Sequence, residues 1–345
     1  MVSKIKVLVV DDSAVIRKIL SEGLEKEPDI AVVGTAPDPY IARDKIVRLS
    51  PDVVTLDVEM PRMDGITFLK KLMRYYPIPV IIISSLTERG GTLALEALKY
   101  GAVEVMAKPS GSFSIGDMTL QIADKIRAAS RVKVKKTDIV SKNNNENIKR
   151  PIKALTKTTR KIIAIGASTG GTEAIRSLMQ QMPSSAPGIL ITQHMPAKFT
   201  KAFADSLNQI CEMEVKEAVD GDAVISGRVL VAPGNYHMLL ARDGARYYIK
   251  IKDGPMVHHQ RPAIDVLFKT VATYAGSNAV GVILTGMGAD GAQGLLDMKN
   301  AGAKTIAQDK HSCVVFGMPK EAIKKGAADI ILPLNDIAPK MLEFS

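Results

Sequence analysis

The chain has 345 residues, enough for about two domains with cores of their own, and its two cysteines, Cys211 and Cys313, are far apart. Two distant thiols exclude a disulfide framework and give no zinc-site spacing, so reduced core thiols are expected. No apolar run approaches the ~20 residues that a bilayer-spanning helix needs, so a soluble cytoplasmic protein, not inserted in a membrane, is expected. The net charge of +10 would suggest nucleic acid if it were spread over a folded face, but it is local: twelve of the 46 basic residues and two of the 36 acidic ones lie at 127–161, leaving 34 of each elsewhere.

From the amino end, strands at about 6–10, 30–34, 52–57, 79–83 and 103–106 alternate with helical patterns such as Ala14, Ile16, Ile19, Leu20, Gly23 and Leu24. Five such repeats predict a doubly wound parallel sheet, in which functional groups gather beyond the carboxyl ends of the strands. Those ends carry Asp11 and Asp12, then Asp57, Ser84 and Lys108. Three carboxylates on one edge repel one another unless a cation lies among them, and an oxygen-only donor set suits Mg²⁺. Asp57 is then a nucleophile toward phosphorus, with Ser84 and Lys108 steadying the phosphoryl oxygens.

At these residues, and at the turn Asp57-Val58-Glu59-Met60-Pro61-Arg62-Met63-Asp64-Gly65, the stretch 1–126 resembles a response-regulator receiver domain. The resemblance implies phosphorylation of Asp57 by a histidine kinase. It also implies Mg²⁺ held by Asp12, Asp57 and the main-chain carbonyl of Glu59, with Asp11 reaching the ion through water. Many receivers have a switching aromatic three residues before the lysine; here the position is Val105.

Residues 127–159 are basic, sparse in apolar residues and contain Asn143-Asn144-Asn145, the composition of a solvated linker. At 160–345 strand-helix alternation resumes. The run Ile162-Ile163-Ala164-Ile165 stops at Gly166-Ala167-Ser168-Thr169-Gly170-Gly171, and a helical pattern follows. The spacing Gly166-x-Ser168-x-Gly170 fits a strand-to-helix elbow that presents a nucleophilic hydroxyl. Glycine-rich turns of this kind also cradle phosphates, so the elbow alone leaves both readings open. The next apolar run ends in Gln193-His194, where a dinucleotide site wants an acidic residue for the ribose, and this counts against a dinucleotide oxidoreductase.

Further along, Asp243-Gly244 between β-rich runs predicts an antiparallel hairpin. The run at 279–284 then leads into Thr285-Gly286-Met287-Gly288-Ala289-Asp290-Gly291. Ser168, His194 and Asp290 thus each follow a different strand and permit Ser-His-Asp acyl transfer. The chain order Ser, His, Asp differs from the Ser, Asp, His of nucleophile-elbow hydrolases, so the elbow does not imply that fold. His258-His259 lie on a loop, where neighbouring histidines seldom supply matching metal ligands. His237 and His311 read as structural, with His237 a candidate to line the site.

With Gln193-His194-Met195, Ala232-Pro233-Gly234 and Arg261-Pro262-Ala263-Ile264-Asp265 also in place, the carboxyl-terminal half is similar to the chemotaxis protein-glutamate methylesterases of the CheB family. The resemblance implies two doubly wound α/β domains: a five-stranded, flavodoxin-like receiver and a larger, mostly parallel methylesterase domain with an antiparallel hairpin. It implies hydrolysis of glutamate γ-methyl esters, and deamidation of selected glutamines, on the cytoplasmic helices of chemoreceptors. Met287 and Thr169 are its oxyanion candidates, and no cofactor is implied for the esterase. The expected partners are the receptors and the chemotaxis kinase, with no nucleic acid, and the expected state is a monomer. A DNA-binding output is disfavoured by the neutral second half, which has no compact helix-turn-helix pattern.

Overall fold

The structure is a computed structural model that describes residues 4–108, 115–132, 134 and 161–345. In the first part, strands β1 (Ile5–Val10), β2 (Ile30–Ala36), β3 (Val53–Asp57), β4 (Val80–Ser84) and β5 (Glu104–Ala107) alternate with helices α1 (Ala14–Leu24), α2 (Pro39–Leu49), α3 (Gly65–Tyr75), α4 (Glu88–Lys99) and α5 (Ile115–Ala129). The strands form one parallel sheet in the order β2-β1-β3-β4-β5. Helices on both faces bury runs such as Val7-Leu8-Val9-Val10, which explains why these strands are apolar throughout rather than alternating. Ser13, Asp38, Asp64 and Thr87 cap α1 to α4 by accepting N–H groups of the first turns. The register pairs Val10 with Leu56, so Asp11 and Asp57 leave the sheet side by side.

Helix α5 runs past the boundary expected at residue 126. Arg127, the first basic residue assigned to the linker, pairs with Glu27 at 2.5 Å, Asp29 at 2.7 Å and Asp124 at 3.0 Å. Ala128 and Ala129 are buried, and Val132 and Val134 pack on the same core. Residues 135–160, the greater part of the expected linker, lie outside the described residues.

The chain divides into two compact units between Asn145 and Glu146. The second contains β6 (Ile162–Ala167), α6 (Gly171–Met179), β7 (Gly188–Gln193), α7 (Phe199–Asn208), β8 (Glu214–Glu217), β9 (Arg228–Val231), β10 (His237–Asp243), β11 (Arg246–Lys252), α8 (Ile264–Tyr274), β12 (Ala279–Ile283), α9 (Ala292–Asn300), β13 (Lys304–Gln308), α10 (Met318–Lys324), β14 (Ile330–Leu332) and α11 (Leu334–Glu343). Seven of these strands form a parallel sheet in the order β14-β13-β12-β6-β7-β9-β8, and β10 and β11 form the expected antiparallel hairpin. The hairpin packs on α8, where Leu240 and Ile249 share a buried cluster with Leu267 and Phe268.

The middle of the sheet decides where the chemistry can lie. Strands β12, β6 and β7 are neighbours in register, Gly166 pairing with Ile283 and Ala167 with Gln193. The loops after these three strands therefore meet at one edge, and they carry Asp290, Ser168 and His194.

Candidate active site

In the first unit, Asp11 and Asp57 are buried at the carboxyl edge and Asp12 is exposed beside them, with oxygens of all three within 4.8 Å of one another. Lys108 donates to Asp57 at 2.7 Å and pairs with Asp11 at 3.0 Å. Burial pushes the Asp57 carboxyl up to about 6, with the neighbouring charge of Asp11 adding to it, although Lys108 and the Glu59 N–H pull the other way. Asp11 is raised for the same leading reason. One ammonium does not balance two buried carboxylates and a third at the rim, so the donor set fits a hard divalent cation. Glu59 donates its N–H to Asp57 at 3.1 Å. The Ser84 hydroxyl is engaged with the Gly90 carbonyl at 3.3 Å rather than with Asp57. Val105 is a buried core residue of β5.

In the second unit the three expected groups are joined in series. His194 presents Nδ1 to the Ser168 hydroxyl at 3.1 Å and Nε2 to Asp290 Oδ2 at 2.7 Å. Turning the ring over would put carbons against both partners, so the contacts themselves fix its orientation. The nitrogens are used in the opposite sense to the chymotrypsin template. Asp290 also accepts the main-chain N–H groups of Ile264 at 2.7 Å and Asp265 at 2.9 Å, the first residues of α8. Burial would raise the Asp290 carboxyl, but the His194 and main-chain donors outweigh it and hold the group below the usual carboxylate range. An ionised Asp290 requires the proton on Nε2 and leaves Nδ1 free to accept from Ser168.

The elbow is held by its main chain. Ser168 donates its N–H to the Thr285 carbonyl at 3.0 Å, and its own carbonyl accepts from the Gly171 N–H at 2.6 Å and from Gln193 Nε2 at 3.0 Å. A trans peptide points its N–H opposite its C=O. Anchoring the Ser168 carbonyl therefore aims the Thr169 N–H the other way.

The peptide before Met287 is fixed in the same manner. The Gly286 carbonyl accepts from Gly317 at 3.0 Å and Met318 at 2.8 Å, so the Met287 N–H points away from both. Gly286 presses on the elbow so closely that a Cβ there would fall 2.7 Å from Ser168 Cβ. No larger residue lets this loop approach Ser168 so closely.

A family model described as CheB methylesterase matches residues 163–341, and one described as response regulator receiver domain matches residues 7–119. The chain belongs to the CheB methylesterase family. It is 62% identical over 346 residues to protein-glutamate methylesterase/protein-glutamine glutaminase 2 of Syntrophus aciditrophicus strain SB, covering 99% of both chains. It is 54% identical over 342 residues to protein-glutamate methylesterase/protein-glutamine glutaminase 4 of Anaeromyxobacter dehalogenans strain 2CP-C, covering 99% of this chain and 95% of that relative. The crystal structure of the Thermotoga maritima CheB methylesterase catalytic domain is 39% identical, covers 54% of this chain and 100% of that one, and superposes with a TM-score of 0.53.

Within the CheB methylesterase unit, the other expected candidates fall outside the relay. His237 is buried, with Nε2 facing the Pro255 carbonyl at 3.0 Å and Nδ1 facing the Ala263 N–H at 3.2 Å. Both nitrogens are thus occupied in holding the segment that leads into α8. His258 pairs with Asp265 at 2.9 Å. His258, Asp265 and Asp290 lie close enough to hold an ion, yet both Asp290 oxygens already accept from His194 and α8, and Asp265 from Gly294 and His258. A metal there would dismantle the relay, so the donor set does not fit one. Burial pushes the Cys211 thiol up to about 11 and Cys313 up to about 12, away from the thiolate form that attacks.

Sequence reasoning missed Thr285 and the supporting role of Gln193. Both stand beside a named motif, but which carbonyl a side chain grips depends on how loops from different strands meet. Among the described residues, no helix is long and apolar enough to cross a membrane.

Proposed function

We propose that this chain is a phosphorylation-regulated hydrolase that demethylates glutamate γ-methyl esters and deamidates selected glutamines on chemoreceptor cytoplasmic helices, serving adaptation in bacterial chemotaxis. The observation that carries this reading is the unbroken run from Ser168 through His194 to Asp290 at three adjoining strand ends. The names of the relatives supply the substrate class.

In this mechanism the Ser168 hydroxyl attacks the γ-carbonyl as His194 Nδ1 takes its proton, and Asp290 stabilises the imidazolium through Nε2. The N–H groups of Met287 and Thr169 face the oxyanion, where one well-placed donor is worth about 2.7–4 kcal/mol. The tetrahedral adduct breaks its bond to methoxide, which leaves as methanol with the proton from His194; a glutamine loses ammonia in the same way. Water then attacks the acyl-serine, gives its proton to His194, and releases glutamate and free Ser168. Ester and amide share the acyl carbon, so one relay serves both. All three groups belong to a single chain, compatible with action as a monomer.

In the receiver, Asp57 accepts the phosphoryl group from a histidine kinase, and Lys108 and Ser84 pair with its oxygens. Asp11, Asp12, Asp57 and the main-chain carbonyl of Glu59 would hold Mg²⁺, which supplies positive charge opposite the phosphoryl group. The receiver domain ends with α5 at Ala129 rather than at 126, a linker follows to 159, and the methylesterase domain takes up 160–345.

Replacing Ser168 by Ala tests the esterase half. Methanol release from receptor membranes carrying labelled methyl esters should fall to background while circular dichroism is unchanged. Methanol release at the wild-type rate would reject Ser168 as the nucleophile.

A further inference from the structure

Thr285, the residue after the segment that leaves β12, binds both sides of the elbow at once. Its carbonyl accepts the Ser168 N–H at 3.0 Å. Its hydroxyl accepts the Val315 N–H at 2.9 Å and has two carbonyls in reach of its one proton, Thr169 at 3.0 Å and Val315 at 3.3 Å, of which Thr169 is the nearer. Its own N–H donates to the Gln308 side chain at 2.8 Å. The side chain is about 1% exposed, so no water competes for these bonds. Two residues further on lies Met287.

We propose that the Thr285 hydroxyl is a positioning group that holds the two oxyanion donors in register, one on the elbow and one on the Met287 loop. The argument is stereochemical. The peptide carrying the Met287 N–H is fixed by Gly317 and Met318, and the peptide carrying the Thr169 N–H by Gly171 and Gln193. Each donor is therefore aimed within its own loop. Their mutual distance is a separate matter: the main chains of the two loops meet where the Leu284 N–H donates to the Gly166 carbonyl at 2.9 Å and the Ser168 N–H to the Thr285 carbonyl, both before the peptides that carry the two donors.

The Thr285 hydroxyl adds a side-chain tie beyond those main-chain bonds, at the Thr169 residue itself. It crosses from the β12 loop to the carbonyl of Thr169, and through Val315 it draws in the segment that supports Gly286, whose N–H meets the Val315 carbonyl at 3.0 Å. Oxyanion stabilisation depends on where donors stand before charge develops. A loosened tie therefore costs turnover and spares substrate binding.

This inference rests on Ser168 being the nucleophile, and the Ser168→Ala variant tests that separately. For Thr285 the comparison is among Ser, Val and Cys variants of the full-length chain, with kcat and KM for methanol release and the rate at which a fluorophosphonate probe labels Ser168. Thr285→Ser keeps the hydroxyl and should stay within about threefold of wild type. Thr285→Val keeps the shape and loses the hydroxyl. Its kcat and labelling rate should fall by about 10- to 100-fold, somewhat less than for deletion of a donor itself, with KM within about twofold. Thr285→Cys, with a similar volume and a weaker donor, should lie between the two, and it decides the matter should the Val variant fail to fold. Wild-type kcat in the Val or Cys variant, a loss in Thr285→Ser as deep as in Thr285→Val, or a change carried by KM alone would overturn the proposal.

Discussion

At the scale of single residues, the site is governed by how much support each polar group receives once water is removed. Asp290 is the most heavily supported, with one imidazole and two main-chain donors on its two oxygens. A carboxylate whose folded pKa is depressed adds stability that is complete above its unfolded value, near 3.8, and is lost as pH falls through the lower folded value. The Asp290→Asn variant lacks this contribution. Its stability deficit in urea unfolding should be constant from about pH 6 to pH 5 and shrink toward pH 3, and a deficit that does not change with pH would contradict the assignment of an ionised Asp290. At neutral pH its methanol release should fall by about 10⁴-fold, as for loss of the orienting carboxylate in other triads. Ser168, His194 and Asp290 could be named from the sequence because each follows an apolar run at a strand end. The nitrogen that meets each partner could not, because ring orientation depends on the angle at which two strands deliver their side chains.

At the scale of elements, the relay depends on helix α8 entering at one height above the sheet. Ile264 and Asp265 give Asp290 its main-chain donors, and the Ile264 side chain rests on Gly166, where an added Cβ would come within 2.3 Å of Ile264 Cγ2. Gly166→Ala therefore either displaces the start of α8 or forces Ile264 from its rotamer, at a cost of about 1–3 kcal/mol. The expected result is a lower Tm together with a lower kcat. A variant with normal kcat would show that α8 can shift without disturbing Asp290. The five receiver strands, β6, β7, β9 and β12 of the second unit, the hairpin at Asp243-Gly244 and the acidic edge of the receiver were legible in the sequence, since period and turn chemistry are local properties, whereas β8, β13 and β14 were not singled out. The extent of α5 was not, because a run of Lys and Arg reads as solvated until three acidic partners are brought to Arg127 by folding.

At the scale of the whole molecule, one chain carries two strand edges with polar clusters, and the clusters differ in composition. The receiver edge gathers carboxylates around one ammonium; at the esterase edge each of the two neighbouring carboxylates faces an imidazole, Asp290 with His194 and Asp265 with His258. This separation gives a clean test of regulation. Acetyl phosphate with Mg²⁺ should raise methanol release by the wild-type chain and have no effect on Asp57→Asn, whose basal rate should match that of the unphosphorylated wild type. Stimulation of the Asn variant would show that phosphorylation acts elsewhere. The overall charge was also misleading until it was located, since the whole excess of +10 lies at 127–161 and the rest of the chain carries 34 residues of each sign.

The use of Nδ1 toward Ser168 has a mechanical consequence. Nδ1 is the ring nitrogen nearer the backbone, so the base reaches its partner across a short lever whose position is dictated by the main chain of β7 rather than by side-chain length. The pair therefore inherits the stiffness of two hydrogen-bonded parallel strands. Spreading of those strands at their carboxyl ends, rather than rotamer hopping of the imidazole, is the motion that would disarm the enzyme.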